Sequence, residues 1–385
     1  MVKAPVLVSD VSERLLARNR IVEDFFASEA RSLALACREM SERFLRGGRL
    51  LAFGKGPYAT DAQHVSVEFV HPIVVGKRAL PALDLSLLFG PWLDALQQPE
   101  DIVMGFGPPE GDAEVEAALS AARRRGAMTV DLPGKAAVSN PFIHQELIEI
   151  LYHTLWETVH VFFEHRELGQ DVGVSGFLYP FLGGEKQQTE EIVDQAAASI
   201  QAKAQDDAAL RARVAREESA RILDAALAIH QRVARGGKLI LFGNGGSATD
   251  ANDFAIDCVL PPVGYRPVPA ISLSMEPANL TAIANDVGIE LVFLRQLIAQ
   301  ARPGDVAIGI STSGGSRNIV LALEEARKRG LLTVAMLGND GGEILRRELA
   351  DFPLVVRSGY VPRIQEVQAS MYHVIREMLE ALARA

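Results

Sequence analysis

The sequence predicts two tandem three-layer α/β/α domains, each built on a parallel sheet flanked by helices. Three observations carry that prediction. The chain repeats itself, each copy alternates short apolar runs with helical-period segments, and 385 residues suit two domains, roughly 150 residues being typical of one. Arg-Gly-Gly-Arg-Leu-Leu-Ala-Phe-Gly-Lys-Gly at 46–56 matches Arg-Gly-Gly-Lys-Leu-Ile-Leu-Phe-Gly-Asn-Gly at 235–245, an offset of 189 residues, and Ala-Thr-Asp-Ala recurs at 59–62 and 248–251. Asp101-Ile-Val-Met-Gly pairs with Asp305-Val-Ala-Ile-Gly at an offset of 204. Gln145-Glu146 with His153 pairs with Gln365-Glu366 with His373 at 220. The first copy is therefore shorter by about 15 residues in one place and about 16 in another.

Each copy opens with helical-period segments, Ser12 to Arg46 and Glu191 to Arg235, in which apolar residues recur every third or fourth position. In the second copy the apolar runs Leu239–Phe242, Ala270–Leu273, Val306–Ile310, Leu332–Leu337 and Phe352–Val356 then alternate with helical stretches. Strands buried on both faces beneath helices read this way. A last helix is expected around 143–163 and again around 363–383. The segment 169–187, rich in glycine and aromatics, breaks the period and predicts a linker between domains 1–168 and 188–385.

Composition narrows the function. Lys plus Arg is 39 against 49 for Asp plus Glu, a net charge of −10, which argues against general nucleic-acid binding or an anionic membrane surface and favours small ligands or protein. No apolar stretch reaches the ~18–20 residues of a membrane span, and the first residues lack a secretory core, so a cytoplasmic protein is expected. The two cysteines, Cys37 and Cys258, lie far apart and indicate neither a disulfide framework nor a thiolate metal site.

Two loops of the second copy carry chemistry. The run 239–242 leads into Gly243-Asn-Gly-Gly-Ser247 and then a helix, a turn whose backbone N–H groups and helix dipole suit a phosphate. The run 306–310 leads into Ser311-Thr312-Ser313-Gly314-Gly315-Ser316, again opening a helix. Capping that helix needs one hydroxyl; four, at the C-terminal ends of strands in one sheet, favour a phosphorylated ligand.

These loops, with Leu280-Thr-Ala-Ile-Ala-Asn-Asp286 and Arg363-Ile-Gln-Glu-Val367, make the second copy resemble the sugar isomerase (SIS) domains, specifically their phosphoheptose isomerase branch. The first copy joins mainly through the repeat. The resemblance implies conversion of sedoheptulose 7-phosphate to D-glycero-D-manno-heptose 7-phosphate through an enediol, often with zinc or another divalent metal, in a tetramer with active sites between subunits. It implies that Ser247, Ser311, Thr312, Ser313 and Ser316 hold the phosphate, with Asn244 and Asp286 near the sugar. Asp257 and His373 would be acid and base, with Gln365 orienting substrate or ligating metal.

The copies depart from the family pattern in opposite directions. The first keeps the metal and acid/base types as His64, Glu68, Gln145 and His153, with 64 and 68 one helical turn apart. Its phosphate loops are gone: Pro57 and Tyr58 stand for Gly246 and Ser247, and Gly107-Pro-Pro-Glu-Gly111 replaces the hydroxyl loop. The second copy keeps the loops but has Asp253 and Asp257 for His and Glu, so Asp253, Asp257, Gln365 and His373 would form a weaker, oxygen-rich metal set. Eight residues of helix span ~12 Å, so Gln365 and His373 share one ion only if Gln365 precedes the helix proper; otherwise they serve different positions.

Two functional readings follow: a phosphosugar aldose–ketose isomerase, or a non-catalytic phosphosugar-sensing or protein-interaction protein. A structural metal in the first copy is compatible with both. The expected partners are a phosphorylated sugar and a second copy of the chain, since a homodimer of duplicated chains reproduces a four-domain pseudo-tetramer. Neither nucleic acid nor membrane is expected.

Overall fold

The computed structural model describes residues 6–72, 77–131, 133, 138–166 and 189–385, and the expected linker at 169–187 lies outside them. The chain divides into two compact units, residues 20–206 and residues 1–19 with 207–385. Among the described residues no helix is long and apolar enough to cross a membrane.

The first unit comprises α1 (Val8–Leu45) from Arg20 onward, β1 (Leu50–Gly54), α2 (Ala59–Val70), β2 (Ala82–Asp84), α3 (Phe89–Leu96), β3 (Ile102–Phe106), α4 (Ala113–Arg124), β4 (Met128–Val130), α5 (Pro141–Arg166) and α6 (Thr189–Glu217) as far as Asp206. Its strands are all parallel, in the order β2-β1-β3-β4. Because side chains alternate along a strand, Leu50 and Ala52 pack with Phe69 and Leu151 on one face while Leu51 and Phe53 pack with Leu93 and Leu119 on the other. The predicted three layers follow from that alternation.

The second unit adds α7 (Ser219–Ala234), β5 (Leu239–Phe242), α8 (Gly246–Val259), β6 (Ala270–Ser272), α9 (Pro277–Val287), α10 (Val292–Gln300), β7 (Val306–Ser311), α11 (Arg317–Lys328), β8 (Leu332–Gly338), α12 (Gly342–Arg346), β9 (Phe352–Val356) and α13 (Val361–Arg384). Its parallel sheet has the same order with one more strand, β6-β5-β7-β8-β9. Leu239 and Leu241 face Phe254 and Ile375, and Ile240 and Phe242 face Phe293 and Leu323. The two shortenings of the first copy become visible here. Between β1's neighbour β2 and β3 there is α3 where the second unit has α9 and α10, and among the described residues nothing replaces α12 and β9, so β4 ends the sheet.

Two boundaries differ from the sequence reading. The stretch Glu191 to Arg235 is two helices meeting at Glu218, and the compact units cut across the boundaries at 168 and 188. Val11 and Leu15 of α1 sit in a core of the second unit, whereas Ile192, Val193 and Ile200 of α6 sit in the core of the first. Periodicity shows that a helix has an apolar face; it does not show which core covers that face.

One contact recurs at the N-terminal edge of both sheets. The buried Asp101 carboxylate accepts from the Arg49 backbone N–H at 2.9 Å and from its guanidinium at 2.8 Å. Asp305 does the same work beneath β5 and β7, accepting from the backbone N–H groups of Lys238 at 3.0 Å and Arg302 at 2.8 Å and pairing with the Lys238 ammonium. Burial pushes the Asp305 carboxyl up, but the Lys238 ammonium and the two N–H groups outweigh it and hold the carboxyl below its usual range. A depressed folded value means that the stabilisation is complete above the ordinary carboxylate range and disappears as pH falls through the folded value. Asp305→Ala should lower the opening free energy of β5 and β7 by about 2–3 kcal/mol at pH 7, read by hydrogen exchange, and the deficit should shrink toward pH 3. Fluorescence of Trp92 and Trp156, both in the first unit, should not report the change.

Candidate functional site

The order β6-β5-β7 means that the chain leaves β5 to one side and then returns to the other, which opens a crevice at the C-terminal ends of β5 and β7. Both predicted loops lie there. At the first, a Cβ on Gly243 would stand 2.1 Å from the Ser247 carbonyl oxygen, so only glycine lets strand and helix approach this closely. Gly54 is under the same constraint, 1.9 Å from the Tyr58 carbonyl oxygen. Ser274 fixes the turn by accepting from the Gly243 N–H at 3.1 Å and donating to its carbonyl at 3.0 Å.

The second loop is braced from the next strand. Gly314, at φ +61°, leaves no room for a Cβ against the Gly341 carbonyl, and the Ile344 N–H donates to the Gly314 carbonyl at 2.9 Å. Ser311 and Ser313 accept from the N–H groups of Gly314 and Gly315 through their hydroxyl oxygens at 3.1 and 3.3 Å. Ser316 is the N-cap residue of α11, yet its hydroxyl makes no capping bond. By contrast Asp112, its counterpart in the first copy, spends its carboxylate on the N–H groups of Glu114 and Val115 at 2.9 and 3.2 Å. Asn244 and Asn318 exchange amide bonds of 2.9 and 2.8 Å across the crevice and tie the two loops together. Asn318 was not singled out by the sequence reading, since a helix-start asparagine reads first as local capping. Asp286 is exposed at the end of α9 and accepts from the Asn285 amide at 3.1 Å; among the described contacts it meets neither loop.

Deeper in the unit, α8 and α13 bring Asp253, Asp257 and His373 together. His373 Nε2 lies 3.1 Å from Asp257 and 3.4 Å from Asp253, and the Tyr372 hydroxyl donates to Asp253 at 2.7 Å. All three groups are buried, and their ligand atoms lie within 4.8 Å of one another. Burial, then the Asp253 charge, raises the Asp257 carboxyl well above its usual range, with His373 and Arg376 opposing. Gln365 lies inside α13, two turns before His373, and its buried Oε1 has no hydrogen-bond partner among the described residues.

In the first unit, His64 and His153 rings meet edge to face at 5.2 Å, and Glu68 lies 3.8 Å from His64 Nε2. Gln145 donates to Asp61 at 3.3 Å. The third group that converges with the two histidines is Glu149, one turn before His153 on α5, with ligand atoms again within 4.8 Å of each other. Its counterpart at the 220-residue offset is Ala369, so the repeat gave no signal for it. Burial and the neighbouring His153 hold His64 well below the usual imidazole range, which leaves it neutral and suited to a metal ion.

The SIS domain profile matches residues 204–338. A phosphoheptose isomerase of Geobacter sp. (strain M21) is 48% identical over 146 residues, 38% of this chain and 75% of the relative. That of Trichlorobacter lovleyi is 42% identical over 177 residues, 46% of this chain and 89% of the relative. Among solved structures, the C-terminal domain of glucosamine-fructose-6-phosphate aminotransferase from Francisella tularensis covers 96% of this chain and 94% of its own length at a TM-score of 0.63 and 8% identity, a likeness of fold alone. A putative phosphosugar isomerase from Silicibacter pomeroyi covers 98% of both chains at a TM-score of 0.54 and 13% identity. With curated relatives above 40% identical over three-quarters or more of their own length, the chain belongs to the SIS-domain family, in its phosphoheptose isomerase branch, as a tandem duplication.

Proposed function

We propose that the protein is a phosphosugar aldose–ketose isomerase whose chemistry is built on the second unit, with a seven-carbon sugar phosphate as substrate. The Ser311–Ser316 loop carries the reading: it presents hydroxyls and the positive end of α11 at the switch crevice, and Ser316 keeps its hydroxyl out of the helix cap. The phosphate is held there, beside the Asn244–Asn318 amides. Asp253 and Asp257 follow on α8, about 10–16 Å along the axis from its first residue at a rise of 1.5 Å per residue. Asp257 and His373, 3.1 Å apart, are the acid/base pair. One removes the proton from the carbon next to the carbonyl while the other protonates the carbonyl oxygen. The resulting enediol takes a proton at the neighbouring carbon and gives one up from the neighbouring hydroxyl, so both groups return to their starting states. Asp253, oriented by Tyr372, fixes the imidazole.

The family's divalent metal fits the donors present. His64, Glu149 and His153 supply two imidazoles and a carboxylate from rigid helices and would hold it, with Asp253, Asp257 and His373 as the weaker alternative. Zinc or a similar ion bound there supplies Lewis acidity, or structural bracing, without redox chemistry.

The burial of His373 favours a second reading, phosphosugar sensing without turnover. Assay separates the two. Under the isomerase reading, Ser316→Ala raises KM for sedoheptulose 7-phosphate about tenfold with little change in kcat, the loss of one hydrogen bond to a charged group. Asp257→Asn lowers kcat by at least about a hundredfold with KM nearly unchanged. Binding without turnover in the unsubstituted protein supports sensing instead. Elemental analysis of zinc-loaded, desalted protein is expected to find a tightly held ion that His153→Ala removes and His373→Ala retains.

A further inference from the structure

The two units carry different charge at the N-terminal edge of their sheets, the end away from the crevice that holds the Ser311–Ser316 loop. In the second unit a cleft of about 250 Å³ lies there, between the end of α7 and the turn that joins α10 to β7. Arg232, Arg235 and Arg302 line it, together with the backbone of Gly236, Gly237 and Gly304. Arg235 and Arg302 are exposed, and Arg232 is half-buried.

The first unit shows what the same backbone carries without such a cleft chemistry. A Cβ on Gly237 would stand 2.4 Å from the Gly304 carbonyl oxygen and 3.0 Å from that of Arg232; a Cβ on Gly48 would stand 2.2 Å from that of Glu100 and 3.0 Å from that of Arg43. Arg43 and Arg46 are thus the counterparts of Arg232 and Arg235, Glu100 of Gly304, and Gln98 of Arg302. Both arginines of the first unit are neutralised, Arg43 by Glu39 at 2.9 Å and Arg46 by Glu100 at 2.7 Å. The Arg43 guanidinium also donates to the Pro99 carbonyl at 2.8 Å. In the second unit Ala228 stands for Glu39 and Gly304 for Glu100, so both acids are gone, and Arg302 adds a third guanidinium. Among the described residues none of the three is in an ion pair, and their one side-chain hydrogen bond runs from Arg232 to the Gly330 carbonyl at 3.4 Å.

Complementing the negative ends of α7 and α10 does not account for three arginines. The Gly236 and Gly237 N–H groups already donate to the carbonyls of Val233 and Arg232 at 2.9 and 3.0 Å, and the Lys238 ammonium donates to that of Gln300 at 2.8 Å. Asp305, the carboxylate beside the cleft, is paired with Lys238. Three like charges therefore line one small concave volume with no counter-charge, a repulsion that a bound anion relieves. A guanidinium fork matches phosphoryl oxygens, and a phosphoryl group has three of them to share among three forks. A single phosphate ester carries roughly −1.5 to −2, short of three cations, and a second linked phosphoryl group makes up the difference. The volume is too small for a polyanionic chain, which the protein's net charge of −10 also opposes.

We propose that this cleft is an anion site for a diphosphate group, separate from the crevice at the C-terminal ends of the same strands. Calorimetric titration of the full-length protein with inorganic pyrophosphate and with adenosine diphosphate, in buffer free of divalent ions, tests it. At least one should bind, and more weakly as salt rises; the tighter of the two tells whether the free or the esterified diphosphate is the ligand. Arg302→Gln, which installs the first unit's residue, and Arg235→Ala should each weaken binding at least tenfold. Ala228→Glu, which returns the acid that holds Arg43 in the first unit, should do the same. Arg235 and Arg302 are exposed, so their variants should melt with the unsubstituted protein when no ligand is present. Ser316→Ala should keep the full affinity. The proposal is overturned if neither probe binds, if binding survives the combined Arg235→Ala and Arg302→Gln variant, or if Ser316→Ala abolishes it. Orthophosphate or citrate binding as tightly as the diphosphates overturns it as well, since the site would then select charge alone.

Discussion

The rest of the structure depends on one steric constraint, the contact of a strand end with the first turn of the following helix. At Gly243 the backbone passes so close to the Ser247 carbonyl that no side chain fits between them. This fixes where α8 starts and how it lies over the sheet, and therefore where its second and third turns present Asp253 and Asp257 to α13. A looser turn would shift the helix along its own axis, and a shift of one residue turns each carboxylate by about 100°. The Gly243–Ser247 turn and the Asp253, Asp257 and His373 cluster are thus placed by the same close approach.

The first unit shows what survives when that constraint is kept and the chemistry around it changes. Gly54 preserves the contact, and Ser86 donates support to the turn by accepting from the Gly54 N–H at 3.0 Å, as Ser274 does for Gly243. The geometry of α2 against α5 is retained with it, and so is the meeting of His64 with His153. Pro57 and Tyr58 stand where the second unit has Gly246 and Ser247, and Asp112 caps its helix through its side chain where Ser316 does not. The duplication has kept the scaffold in both units, with the hydroxyl-bearing loops in the second and the His64, Glu149 and His153 cluster in the first.

Much of this was legible in the residues. The five apolar runs of the second copy became its five strands because a strand buried on both faces must be apolar throughout, and the glycine and hydroxyl loops fell at the switch point because strand order puts every β-to-α turn on one edge. Other features were not. Glu149 has no counterpart in the second copy and no motif around it; only the stacking of α5 on α2 gives it a role. Gln145 and Gln365 share a spacing with their histidines, but spacing alone does not say that each pair lies on one unbroken helix. The allocation of Val11 and Leu15 to one core and Ile192 to the other is likewise a tertiary fact, since both helices show the same local period.

Losing the fifth strand had a cost that the first unit contains by being short. A parallel edge exposes a row of backbone donors and acceptors, and an edge of ordinary length is a template on which a foreign strand can add. β4 runs for three residues, and Arg123 lies across it with two nitrogens on Thr129 Oγ1. Three residues offer too few rungs to hold an incoming chain, and a guanidinium over the edge opposes the apolar contact that would recruit one. The truncation was therefore tolerable to a folded protein at cellular concentration, because the exposed ladder was trimmed along with the strand that had covered it.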